Sequence, residues 1–269
     1  MSARPVGLIA GSGIFPLRFA ESARRAGRRV IAVAHEGETD PSIAAYCDAL
    51  TWVKLGQLGK IVRALREGGA EEAAMVGGIA KVRIFGGLRP DLLALKHAPK
   101  LRKWGNDDLL KTVASMFEEE GVAIIDPARI CPDLLAREGA YTKTRPSDAL
   151  WEDIRIGWKV AETLSAADVG QTVCVKRGNV VAAEAMEGTD ACIRRASEVG
   201  GKGFVVVKVS KPGQDPRFDL PVIGPTTVET LACAGAAAMA FPAGRTYVLD
   251  EAEVVHAADK ARIALIALS

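Results

Sequence analysis

The residues best equipped for chemistry lie together in one segment, Lys208 to Thr227, "KVSKPGQDPRFDLPVIGPTT". It holds two acids, three bases, a glutamine and four prolines, set between the apolar runs "GFVVVKV" and "VETLACAGAAAMA". Asp215 and Asp219 carry the hard carboxylate oxygens that a magnesium-class cation prefers. Lys208, Lys211 and Arg217 can neutralise phosphate oxygens. Pro212, Pro216 and Pro221 restrict the backbone, so these charges are held in place. A solvated turn with internal ion pairs needs fewer charges and fewer prolines. The combination suits phosphoryl or pyrophosphate chemistry, in which charge is neutralised and a water is oriented. The residue types alone do not choose between Asp215 and Asp219.

Three further stretches carry weaker signals. "GSGIFP" follows a first apolar strand, and Gly11, Ser12 and Gly13 would let an anion approach backbone N–H groups at a helix start. Glu36 stands near the end of the second strand, where a ribose-binding acid would sit in a dinucleotide fold. Pro16 replaces the third glycine of that fingerprint, which leaves a tight strand-to-helix turn as an equal reading. In "WGNDDLLKTVASMFEEEG", Asn106, Asp107 and Asp108 open a helix, where they complement its dipole. Thr189 and Asp190 stand the same way after Gly188. His35, His97 and His256 are far apart and show no metal-binding spacing. The five cysteines form no CxxC pair, which fits a reducing cytoplasm.

These residues need elements to hold them. Up to Asp126, buried apolar strands alternate with helices, which predicts a parallel sheet covered on both faces. Ligands of such sheets sit at the carboxyl ends of the strands, here Gly11-Ser12-Gly13, His35-Glu36, Gly77-Gly78 and Asp126-Pro127. The expected organisation is a Rossmann-like N-terminal domain over residues 1–130, a linker over 131–146 and a C-terminal α/β catalytic domain over 147–269. In the latter, a helix capped by Ser147 precedes a strand pair turning at Arg177-Gly178-Asn179. Thr226 to Met239 reads as a buried Ala-rich helix, too short to span a bilayer. A net charge of +2 without a Lys/Arg block excludes a polyanion-binding surface, so no nucleic-acid partner is expected. The N-terminal apolar run is broken by glycine and proline and does not read as a signal peptide.

The chain resembles the magnesium-dependent, two-domain UDP-2,3-diacylglucosamine pyrophosphatases of lipid A biosynthesis in Gram-negative bacteria. The resemblance runs through nearly the whole chain. It is carried by "GLIAGSGIFP", "GNDDLLKTVASMFEEEG", "DVGQTVCV", "AAEAMEGTDACIRRA" and "KPGQDPRFDLPVIGPTT", of which the last two are the specific ones. One departure stands out: the family reads Gly-Asp-Asp where this chain has Gly105-Asn106-Asp107, so a metal role there loses a charge. The resemblance implies hydrolysis of UDP-2,3-diacylglucosamine to UMP and 2,3-diacylglucosamine 1-phosphate (lipid X), with Mg2+ or another divalent cation. It implies that Asp219 is the essential carboxylate; Asp219 and Asp215 are the expected metal ligands. It implies substrate contacts from Gly11, Ser12, Gly13, Ile14, Gly78, Gly105, Asn106, Asp107, Gln171, Thr189, Asp190, Lys208, Lys211, Gln214 and Arg217, in a cleft between the domains. Substrate and product are amphiphiles, so a cytoplasmic protein in peripheral contact with the inner membrane is expected. A homodimer is left open. Two rivals remain at this stage: an NAD-dependent oxidoreductase, from the Gly11 turn and Glu36, and a non-catalytic nucleotide-sugar or lipid carrier.

Overall fold

The computed structural model describes residues 3–79, 89–97, 106–211, 213–218 and 220–269, with the side chains of residues 106–108 left aside. The chain divides into two compact units. The first is Met1–Asp133 together with Asp215–Asp219; the second is Leu134–Gln214 together with Leu220–Ser269. Both are α/β, the first around a fully parallel sheet, which agrees with the fold class read from the sequence.

The first unit runs β1 (Ala3–Ala10), α1 (Phe15–Arg25), β2 (Arg28–His35), β3 (Ala49–Val53), α2 (Leu58–Glu67), β4 (Glu72–Val76), α3 (Leu92–Lys96), α4 (Asn106–Glu119) and β5 (Ala123–Ile124). The five strands are parallel in the order β3-β2-β1-β4-β5. From Val30 to His35 every residue of β2 is buried, which is why its sequence shows no alternation. One core joins Ile9, Ile31 and Val33 of the sheet to Ile61 and Leu65 of α2 and to Ala114 and Phe117 of α4. Phe218, from the distant loop, belongs to the same core. α1 packs against β1 and β2 and buries Phe15, Phe19, Ala20 and Ala23.

The second unit runs β6 (Gly139–Ala140), α5 (Asp148–Ala166), β7 (Thr172–Lys176), β8 (Asn179–Ala183), α6 (Thr189–Gly200), β9 (Val205–Lys208), β10 (Val222–Ile223), α7 (Pro225–Ala234), β11 (Ala238–Pro242), β12 (Tyr247–Val248), α8 (Glu251–Lys260) and β13 (Ala264–Leu268). Its main sheet has the order β6-β13-β11-β9-β7-β8, and β10 pairs with β12 separately. Strands β9, β11 and β13 are parallel; β6, β7 and β8 run antiparallel to their neighbours.

Period-two alternation splits this sheet between two cores. Val173, Val175, Val205, Val207, Ala238 and Ala240 pack with Ile154 and Ala161 of α5. Cys174, Val206, Met239 and Phe241 pack with Ile193 of α6, Leu231 of α7 and Val254 of α8. Gly157 lets α5 approach closely, since a Cβ there would lie 2.7 Å from Val207 Cγ2. The β7–β8 turn forms where the sequence placed it. Arg177 and Gly178 both have positive φ, and Asp153 accepts their backbone N–H groups at 2.9 and 2.7 Å.

One sequence expectation meets the structure differently. The helix expected over Thr226 to Met239 stops at Ala234. Gly235 turns left-handed there, at φ 74°, and the next residues form β11 between β9 and β13. Alanine favours helix, but the glycine ends it and the fully buried "AMAFP" run completes the sheet. Residues 131–146, read as linker, hold a 3-10 turn at Pro132–Leu134 and strand β6. The stretch near Asp91 to Lys103 reads as helix in the sequence; α3 covers it as far as Lys96, and its remainder falls outside the described residues. Among the described residues no helix is long and apolar enough to cross a membrane.

Candidate functional site

In the first unit, sheet order reverses at β1, which lies between β2 and β4, so their carboxyl ends form the switch point where ligands of such sheets bind. The two glycine turns meet there. Gly11 N–H donates to Val76 O at 2.8 Å, Ser12 N–H to Gly78 O at 2.7 Å and Gly78 N–H to Ser12 O at 3.2 Å. The Ser12 hydroxyl donates to Gly78 O at 3.0 Å. A Cβ on Gly11 would lie 2.4 Å from Gly78 O, and one on Gly77 2.5 Å from Ser12 O. Glycine at 11 and 77 therefore answers first to this backbone contact. Gly13 differs: its φ is +86° and a Cβ would meet open space. Ile14 is the N-cap of α1 and no side chain caps that helix start. The structure thus brings Gly11, Ser12, Gly13, Ile14 and Gly78 together.

His35, at the carboxyl end of β2, braces this turn. Its Nδ1 lies 2.9 Å from Ala10 O, which only accepts, so Nδ1 carries the proton. The Thr39 hydroxyl donates to the same oxygen at 2.6 Å and accepts His35 N–H at 2.9 Å. Burial pushes the His35 ring below its ordinary range and keeps it neutral. Asn106 is the first residue of α4 and Asp107 the second, while Gly105 lies outside the described residues.

The first unit also holds the middle of the charged loop. Arg217 grips Asp215 with a fork: Nε lies 3.0 Å from Oδ1 and Nη2 2.8 Å from Oδ2. Nη1 donates to Glu118 of α4 at 2.9 Å, and the guanidinium sits 5.1 Å over the Phe218 ring. Arg217 holds the Asp215 carboxyl below the usual carboxylate range, and Asp215 raises Arg217 in turn. Both Asp215 oxygens accept from Arg217, which takes up part of the accepting capacity of this carboxylate. Asp219 lies outside the described residues, and among those described no three His, Cys, Asp or Glu side chains gather as a metal would require.

In the second unit, β9 and β7 place Lys208 directly opposite Thr172. The Lys208 ammonium donates to the Thr189 hydroxyl at 3.1 Å. Thr189 opens α6 behind Gly188, whose φ of 84° suits glycine, and no side chain caps that helix; Asp190 follows in the first turn. Thr189 also lies 3.3 Å from the Thr172 hydroxyl and 3.2 Å from Glu184 Oε1. Lys208, Thr172 and Glu184 are all buried. Gln171 accepts Val209 N–H at 2.9 Å through its backbone oxygen. Beyond the strand, Lys211 pairs with Asp168 at 3.2 Å. The Gln214 side chain accepts Lys211 N–H at 3.0 Å, and Arg245 donates to Gln214 O at 3.1 Å. Sequence reasoning passed over Thr172 and Glu184. The available signal was a charged residue at an inward position of the "VVAAEA" strand.

An ammonium beside an uncapped helix N-terminus is an arrangement that receives phosphate oxygens. Residues 5–134 match the LpxI N-terminal domain model and residues 137–266 the LpxI C-terminal domain model. The chain is 35% identical over 267 residues to the UDP-2,3-diacylglucosamine pyrophosphatase LpxI of Caulobacter vibrioides, covering 95% of this chain and 94% of that protein. Among solved structures, the biotin carboxylase subunit of pyruvate carboxylase aligns at TM-score 0.28 and 14% identity, over 74% of this chain and 43% of that one. Phosphoribosylglycinamide synthetase from Anaerococcus prevotii aligns at TM-score 0.24 and 13% identity, over 64% and 31%. Likenesses that low carry no argument. Both family models and the full-length relative agree in sequence order and extent: the chain belongs to the LpxI family.

Proposed function

We propose that the protein hydrolyses the diphosphate of UDP-2,3-diacylglucosamine, giving UMP and 2,3-diacylglucosamine 1-phosphate. The observation that carries the reading is the identity to the Caulobacter pyrophosphatase through both units. The structure adds Lys208, buried and held at the uncapped start of α6, where an ammonium and helix N–H groups favour phosphate oxygens. In the reaction one phosphorus–oxygen bond of the anhydride breaks, and water supplies the oxygen to the attacked phosphorus. Lys208 and Lys211 balance the charge that gathers on the leaving phosphate. Arg217, engaged by Asp215 and Glu118, orders the loop that carries Asp219. A divalent cation belongs to the proposal through Asp219, on family resemblance. The acylated substrate makes peripheral membrane contact part of the same proposal.

The test is release of UMP from UDP-2,3-diacylglucosamine, with magnesium and with excess EDTA. Asp219→Ala is expected to lose turnover by about a hundredfold or more, as removal of a group acting in the transition state does. Its melting temperature is expected to stay near that of the wild type. Asp215→Ala is expected to lose less. No UMP in the presence of magnesium, or full turnover in EDTA, contradicts the proposal. Near-normal turnover in Asp219→Ala assigns the essential carboxylate elsewhere.

A further inference from the structure

We infer that Glu184 is a positioning residue: it takes the single proton of the Thr189 hydroxyl and so fixes the Lys208 ammonium. The inference rests on the reading that Lys208 serves diphosphate hydrolysis. A threonine hydroxyl has one proton and two lone pairs. Thr189 Oγ1 has three polar neighbours: Glu184 Oε1 at 3.2 Å, Lys208 Nζ at 3.1 Å and Thr172 Oγ1 at 3.3 Å. A carboxylate accepts and an ammonium donates, so the assignment is forced. The Thr189 proton goes to Glu184, one lone pair receives Lys208, and the other receives the Thr172 proton. An amide in its place can turn an N–H toward Thr189 where the carboxylate only accepts; the Thr189 proton is then free to turn toward Thr172, and the acceptor aimed at Lys208 is no longer fixed.

Glu184 is itself held by the backbone. Its N–H donates to Thr172 O at 2.8 Å, and a Cβ on Gly170 would lie 2.1 Å from Glu184 O, so the chain passes there only as glycine. The side chain is buried, and Oε2 has no hydrogen-bond partner among the described residues. A buried acceptor left unmatched costs folding free energy that an apolar side chain of similar size avoids. What this carboxylate brings in return is an opposite charge one hydroxyl away from Lys208 and a fixed Thr189 rotor.

The experiment measures kcat and KM for UMP release in the full-length wild type, Glu184→Gln, Lys208→Met and the double variant. Glu184→Gln is expected to lower kcat about tenfold with KM within about twofold, the pattern of an interaction made in the transition state. In the Lys208→Met background the same change is expected to cost less than about twofold, because it acts through Lys208. Wild-type kcat in Glu184→Gln, or an equal loss in both backgrounds, overturns the inference. A crystal structure of Glu184→Gln gives a readout free of turnover. Lys208 Nζ is expected out of hydrogen-bond reach of Thr189 Oγ1, and unchanged placement overturns the inference. Thr189→Val, close in shape, breaks the same link and replaces Glu184→Gln should that variant not fold; Lys208 left in place there is equally fatal. A wild type that releases no UMP refutes the hydrolase reading, and the crystal geometry then decides the role of Glu184 alone.

Discussion

Arg217 and Asp215 were both candidates for direct work on a phosphate or a cation, and the structure shows each occupied by the other. A fork of two hydrogen bonds to a carboxylate is a strong, oriented pair, here partly screened from water. The Asp215 carboxyl is held below its ordinary value, so folding gains from its ionised form. That gain is complete above the unfolded value of about 3.9 and is lost as pH falls through the lower, folded value. Asp215→Asn is therefore expected to lower stability by on the order of 1 kcal/mol at neutral pH. The gap in melting temperature between variant and wild type is expected to close as pH drops below about 4; a gap unchanged by acid would show that the pair adds nothing through its charge. Sequence could name both residues, since charge and proline density marks the loop. It could also suggest an ion pair within the loop, but not the further bond from Arg217 to Glu118, 99 positions earlier in the chain.

Among the elements, β11 shows where local reading stops. Strands β1, β2 and β4 were legible because glycine or polar residues bound each apolar run. The Ala-rich stretch after Thr230 is apolar but for Gly235, and its alanines and leucine favour helix. Gly235 was the visible punctuation, but only its left-handed φ and its bonds back to Leu231 and Ala232 identify it as a helix end. Gly235→Ala is expected to destabilise by about 1–2 kcal/mol, the cost of a left-handed backbone for an L-residue. A lowered urea midpoint with unchanged slope is the expected sign, and an unshifted midpoint would refute it. The site was legible to the same degree as the elements. Gly11 to Ile14, Gly78, Thr189 and Lys208 fall at strand ends and helix starts, where topology makes ligand positions recognisable. The brace formed by His35 was missed because it is a hydrogen bond to a strand 25 positions earlier, and Thr172 and Glu184 because their roles depend on side-chain bonds to Thr189 that spacing does not reveal.

At the scale of the whole molecule, the first unit is not one continuous piece of chain: it closes with Asp215–Asp219, contributed long after Asp133. Phe218 is 4% exposed and lies in the core that also holds Ile61, Leu65 and Phe117. Phe218→Ala is expected to destabilise by about 3–5 kcal/mol, as emptying a buried aromatic site does. Amide hydrogen exchange is expected to quicken in β1 to β5, although the substitution sits in the half of the sequence that forms the second unit. Faster exchange confined to β7, β9 and β11 would refute that reading. The discontinuity also sets an order of events at the ribosome. The strands and helices of the first unit leave the exit tunnel early, yet their core waits for an aromatic ring translated after most of the second unit. Until that ring arrives, the nascent chain carries an unfilled apolar seat, a natural place for a chaperone to hold it.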